Sequence, residues 1–233
     1  MISARDIRDA LLGLVFPDVC PGCGNELHGE DSMLCLSCIG EMPETHFEFL
    51  HSNPVEKKYW GRLQLEYASA AFYFTSASLL QRLMHEFKYH GNKELGFQLG
   101  RMMGERIARA ERVAPDVLVP LPLFPSRERK RGFNQAAVLC EGMSEVLRIP
   151  VLHDVVIRPH YTETQTRKGR IERWKNMDGK FMLKNSEAIE GRHVMLVDDV
   201  VTTGATLEAC GSELLSAKDT SLSLATLCYA SAN

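Results

Sequence analysis

The 233-residue sequence contains no apolar run approaching the roughly 20 residues needed to span a bilayer; its longest early run, residues 11–16, is broken by Gly13. Membrane insertion is therefore not expected. Nor is a secretory leader: Arg5 and Arg8 are mixed with Asp6 and Asp9, and no adequate apolar core with a small-residue cleavage site follows. A cytoplasmic address is the expectation. The chain also lacks an excess of one charge. Its net charge of -3, with 24% charged residues, excludes a global field drawing it to nucleic acid or acidic lipid, so any nucleic-acid contact must be local. Internal repeats and low-complexity tracts are absent. With 45% hydrophobic residues, the composition suits one compact enzyme-sized domain with a small appendage.

Cysteine is present in a telling arrangement. Three of the seven cysteines (Cys140, Cys210, Cys228) fall in helical or strand-like segments and read as small buried hydrophobes, while four form two tight pairs. Cys20 and Cys23 are two residues apart, eleven residues follow, and then come Cys35 and Cys38. In a reducing compartment this spacing favours a metal over a disulfide framework, and four thiolates satisfy tetrahedral zinc with no open position. An iron-sulfur centre or bare thiols are the alternatives, and His28, better read as a surface histidine, could replace a ligand. Ahead of this module, Ile7, Ala10, Leu11, Leu14 and Val15 recur at helical spacing until Pro17. That helix is expected to pack on its own protein, with a membrane-surface role as the lesser alternative.

The domain boundaries expected are 1–42 for helix and zinc ribbon, 43–66 for a linker and 67–233 for the main domain. In the last, strands are expected at 70–75, 117–121, 151–157, 193–197 and 222–229, and helices at 79–90, 93–112, 134–147 and 204–217. Strands alternating with helices imply an α/β domain with a mainly parallel sheet. Residues 158–180 form a long polar stretch rich in Arg and Lys, the kind of segment that is functional or mobile.

The segment VMLVDDVVTTGATLEA carries the chemistry. A buried strand ends at Asp198 and Asp199, a Thr-rich turn with Gly204 follows, and a helix begins. Backbone N-H groups at such a helix start hold phosphate; Thr202, Thr203 and Thr206 add hydroxyl donors, and Gly204 and Ala205 allow close approach. The two carboxylates can accept hydrogen bonds from a ribose diol. Either piece alone has bland readings, a metal-binding or solvated acid pair and a simple helix cap; together they describe a ribose 5-phosphate site. This segment resembles the signature of type I phosphoribosyltransferases, which transfer ribose phosphate from phosphoribosyl diphosphate (PRPP) to a nitrogen nucleophile. In that chemistry fixed carboxylates stabilise an oxocarbenium-like carbon and Mg²⁺ neutralises the leaving pyrophosphate.

Pyrophosphate donors are expected in the basic loop SRERKRGFNQ, from Arg127, Arg129, Arg131 and Asn134, and in the segment holding Arg167, Lys168, Arg170 and Arg173. Either stretch can also be read as a solvated surface loop. Aromatics for base stacking near them are sparse, Phe133 and Trp174 being the candidates.

Over nearly its full length the sequence resembles the ComF family, also called competence protein F or GntX-like. The resemblance rests on FPDVCPGC with its second CxxC, FKYHGN, VPLPL, RKRGFNQA, a 162–165 element, RWKN with Gly179 and Phe181, and LVDDVVTTGAT. It implies a type I phosphoribosyltransferase-like fold with an N-terminal zinc ribbon, and a role in natural transformation or use of external DNA. Implied partners are PRPP or a nucleotide, a competence helicase, other DNA-processing proteins and single-stranded DNA. The same carry-over makes Asp198, Asp199 and Arg173 the catalytic set, with Asn176 in the same segment as Arg173. A non-enzymatic sensor that docks a helicase or single-stranded DNA is the alternative to a transferase.

Overall fold

The computed structural model describes residues 19–27, 33–76, 78–110, 112, 114–159 and 181–231. The expected helix over 7–15, His28, the 162–165 element, Arg167, Lys168, Arg170, Arg173, Trp174 and Asn176 lie outside the described residues. Among those described, the elements run α1 (Leu36–Gly40), a 3-10 turn (Phe47–Phe49), α2 (Pro54–Lys57), β1 (Tyr67–Tyr73), α3 (Leu79–Tyr89), α4 (Lys93–Arg109), β2 (Val117–Pro120), α5 (Pro125–Arg131), α6 (Gln135–Leu147), β3 (Val156–Ile157), β4 (Met182–Leu183), β5 (His193–Val201), α7 (Ala205–Leu214) and β6 (Ser221–Tyr229).

Strands β1, β6, β5 and β2 form one sheet in that order, every pair parallel. Central β5 opens with the near-continuous apolar run HVMLV because both its faces are covered. Val194 and Leu196 join one buried cluster, Met195 and Val197 the other. On the second face α4 and α6 cross so closely that a Cβ on Gly100 would lie 2.3 Å from the Leu139 carbonyl oxygen. Helix α3 lays Leu79, Leu80, Leu83, Met84 and Phe87 on the same side, starting at the Ser78 cap.

Four expectations change. The basic stretch after β2 is helical, not a loop: Pro125 begins α5 and Gly132, at φ 81°, ends it. Without an apolar face, this helix has no periodicity to read. The 151–157 stretch is not one strand; Val151 bridges Leu118, and only Val156–Ile157 pairs, antiparallel, with Met182–Leu183. Strand β1 starts at Tyr67, before the expected 70. Finally, residues 43–66, read as a linker, bury Phe47, Val55 and Tyr59 in the core, and Asn53 donates to the Phe47, Leu50 and Ala68 carbonyls. The chain leaves 43–66 no freedom to act as a spacer.

Candidate functional site

The parallel sheet delivers its strand ends to one edge of the molecule, where ligands of α/β folds belong. Strand β5 stays hydrogen-bonded past the acid pair, with Asp198 opposite Thr226 and Val200 opposite Cys228. Successive strand residues face opposite sides of a sheet, so the two carboxylates diverge. Asp199 forms a 2.7 Å ion pair with Lys88 of α3, both side chains largely buried. Asp198 takes the α7 side, where its charge acts on Tyr59 and Cys210. Burial and the neighbouring Asp199 charge push its carboxyl up to about 8, against the lowering pull of the Asp199 N-H, Lys88 and Arg131.

Beyond β5, the turn at 202–204 opens a cleft of about 40 Å³ lined by Asp198, Thr202, Thr203, Gly204, Ala205 and Thr206. Gly204 precedes α7 with φ 83° and no side chain caps the helix, so its first N-H groups are offered to the cleft. Thr203 Oγ1 accepts from Ala205 N at 3.4 Å, and Thr202 and Thr206 are exposed. Asp198 and the turn read from the sequence thus meet in one cleft, while Asp199 stands on the other side of the sheet against Lys88.

The expected pyrophosphate donors separate. Arg127 and Arg131 are four residues apart on α5 and share a face; Arg129 projects elsewhere and is exposed. Arg131 donates to Gln135 Oε1 at 2.7 Å, lies over the Tyr89 ring and acts on Asp198. Asn134 uses both ends of its amide on the fold, accepting from Ala136 N and donating to the Leu121 carbonyl. Two basic residues escaped the sequence reading. Lys88 lies four residues after buried Met84, and a lysine on that edge of a helix calls for a carboxylate; this spacing was the available signal. Arg158, where the long polar stretch begins, stacks 3.5 Å from the Phe124 centroid and 4.9 Å from that of Phe181. Burial and then the nearby Arg127 charge lower its pKa, and it lines a cavity of about 320 Å³ with Asn134 and Asp154. No local pattern marks it.

At the other end of α3, the Sγ atoms of Cys20, Cys23, Cys35 and Cys38 all lie within 4.8 Å of one another, close enough for one metal ion. Burial raises the Cys20 thiol, but N-H donors from Cys35, Cys23 and Gly22 outweigh it and bring the thiol down to about 6, while burial and the neighbouring sulfurs push the Cys38 thiol up. The module docks on its own chain: Gly22 presses against Leu79, and Arg82 Nε donates to the Gly22 carbonyl at 3.0 Å. None of the described helices is long and apolar enough to cross a membrane.

The phosphoribosyl transferase domain family matches residues 134–233, which hold β5, the turn and α7. Full-length relatives extend the match. The chain is 31% identical over 202 residues to the DNA utilization protein YhgH of Escherichia coli (strain K12), covering 84% of each. It is 30% identical over 217 residues to competence protein ComFC of Bacillus subtilis (strain 168), covering 91% of this chain and 85% of the relative. The chain belongs to the ComF family. Competence protein F of Haemophilus influenzae is 35% identical over 133 residues, 55% of this ComF-family chain and 58% of the relative. Among solved structures, the glutamine PRPP amidotransferase of B. subtilis is 20% identical over 61% of this chain and 30% of its own, at a TM-score of 0.43, too low to carry an argument.

Proposed function

We propose that this chain is a PRPP-binding, phosphoribosyltransferase-like protein acting in DNA uptake or utilization. The observation that carries this reading is the meeting, at the end of β5, of the α7 N-terminus with the Asp198 carboxyl, one residue before Asp199 on its Lys88 pair. The turn at 202–206 takes the 5-phosphate, and Asp198 and Asp199 accept from the ribose hydroxyls. Pyrophosphate lies toward Arg127 and Arg131, with Arg158 held ready by its aromatic stack. Arg173 is a further donor in this reading. The DNA setting follows from the relatives named for DNA utilization and competence.

Four converging thiols suit zinc, which would fasten Cys20, Cys23, Cys35 and Cys38 as a structural cluster against α3. Mg²⁺, carried in with PRPP, would neutralise the pyrophosphate charge. This chain's own residues then bind the phosphate, orient the ribose and present a carboxylate beside its anomeric carbon.

A second reading, a PRPP-sensing adaptor for a DNA helicase or single-stranded DNA, draws support from the cysteine module, where Leu36 is 87% exposed and Val19 50%. A screen of bases and amines with PRPP and Mg²⁺, following pyrophosphate release, separates the two. Acceptor-dependent release supports the transferase. PRPP binding without release for any acceptor favours the adaptor, and the absence of PRPP binding removes both.

A further inference from the structure

Tyr59 belongs to the segment whose irregular pattern resembles a linker, yet it is 1% exposed and its hydroxyl ends at the phosphate turn. A Cβ on Gly204 would sit 2.7 Å from the Tyr59 Oη, so the phenol lies against the main chain of the residue that starts α7. The contact belongs to a longer seam. Arg62 Nε donates to Glu208 at 3.1 Å, and Leu63 fills the space beside Gly211. Gly204, Glu208 and Gly211 are spaced four and three apart on one face of α7, so residues 59–63 run along the helix that forms the phosphate cradle. Lys58 adds a cation–π contact with Tyr229 at the end of β6.

Within this seam the Tyr59 hydroxyl is buried and has no hydrogen-bond partner among the described residues. A buried donor left unpaired is costly, and the groups around it sharpen the cost. Burial first, then the charges of Asp198 and Glu208, raise the phenol's pKa, so it keeps its proton and remains a donor. The helix N-terminus beside it offers further donors, since α7 has no side-chain cap. The phenol proton lacks an acceptor among the described residues, and an anion seated at the turn would supply one.

We propose that Tyr59 is a further binding residue, its hydroxyl donating to the 5-phosphate of a ribose phosphate held in the 202–206 turn. This rests on the functional reading above and adds a side-chain donor from a segment outside the matched transferase domain. The phosphate supplies the missing acceptor, and the 59–63 seam fixes the phenol beside the turn.

The test uses full-length protein and Tyr59→Phe, with ribose 5-phosphate and inorganic pyrophosphate as probes. Removing a hydroxyl that is unpaired in the free protein should raise the thermal midpoint by about 2–4 °C. Losing a hydrogen bond to a charged phosphate should weaken ribose 5-phosphate binding by about tenfold. Pyrophosphate, which does not use the turn, should bind within twofold of wild type. Gain in stability with loss of affinity supports the proposal. Unchanged ribose 5-phosphate affinity overturns it, and so does a lowered midpoint, which would make the hydroxyl a structural bond. If wild-type protein fails to bind ribose 5-phosphate, the functional reading itself fails. A raised midpoint in Tyr59→Phe would then still report a hydroxyl without a partner in the free protein.

Discussion

Asp198 and Asp199 are neighbours in sequence but occupy opposite sides of the sheet. On the α3 side, Asp199 is closed into an ion pair with Lys88. On the α7 side, Asp198 has no ion-pair partner among the described residues, and its pKa is raised. One strand end therefore presents a carboxylate tied to a lysine and a carboxyl without that tie. The alternation of β5 creates the difference, because a single residue step moves a side chain from one packed layer to the other.

The largest expected effect tests the fixed side. Lys88→Met strands a largely buried carboxylate, and urea unfolding should register a loss of about 2–3 kcal/mol, less than for a fully buried pair because both groups keep some solvent. A cost near zero would dissolve the contrast between the two acids.

The titrating side comes next. The folded pKa of Asp198 lies above the 3.8 of a free aspartate, so its contribution to stability is fully present below that ordinary value and is lost as pH rises through about 8. Asp198→Asn should flatten this decline. PRPP affinity of the wild type should rise over the same window, as the diol acceptor becomes charged. A wild-type profile that matches the Asn variant between pH 4 and 8 would place the Asp198 carboxyl in the ordinary range.

Smaller effects separate the basic residues. Asn134→Ala removes the α6 cap and should cost about 1 kcal/mol of stability. Arg131→Ala should weaken pyrophosphate binding clearly more than Arg129→Ala, whose side chain projects away from the Arg127–Arg131 face; equal losses would erase that division of α5.

How much of this was readable beforehand follows the range of the interactions. The paired cysteines, the acid pair and TTGAT lie in contiguous stretches whose spacing is their geometry, and α3 shows its apolar face at helical period. Lys88 lies 111 residues ahead of Asp199, and only the fold brings them together. Tyr59 is still more remote from Gly204, 145 residues away, and nothing in KKYWGRL announces a buried residue. Arg158 needs Phe124 on one side and Phe181 on the other, contributed by separate elements. Helix α5 went unseen because its stretch is charged all round, and residues 43–66 because short turns held by Asn53 have no period.

The central claim is that the end of β5 and the turn beyond it bind PRPP. Titration calorimetry of PRPP with Mg²⁺ into wild type and into the variant carrying Asp198→Ala and Asp199→Ala tests it most directly, with the folded state of both checked by thermal unfolding. Saturable binding in wild type and its loss in the folded variant is the expected result; equal affinity in the two would contradict the assignment of these carboxylates to the ribose.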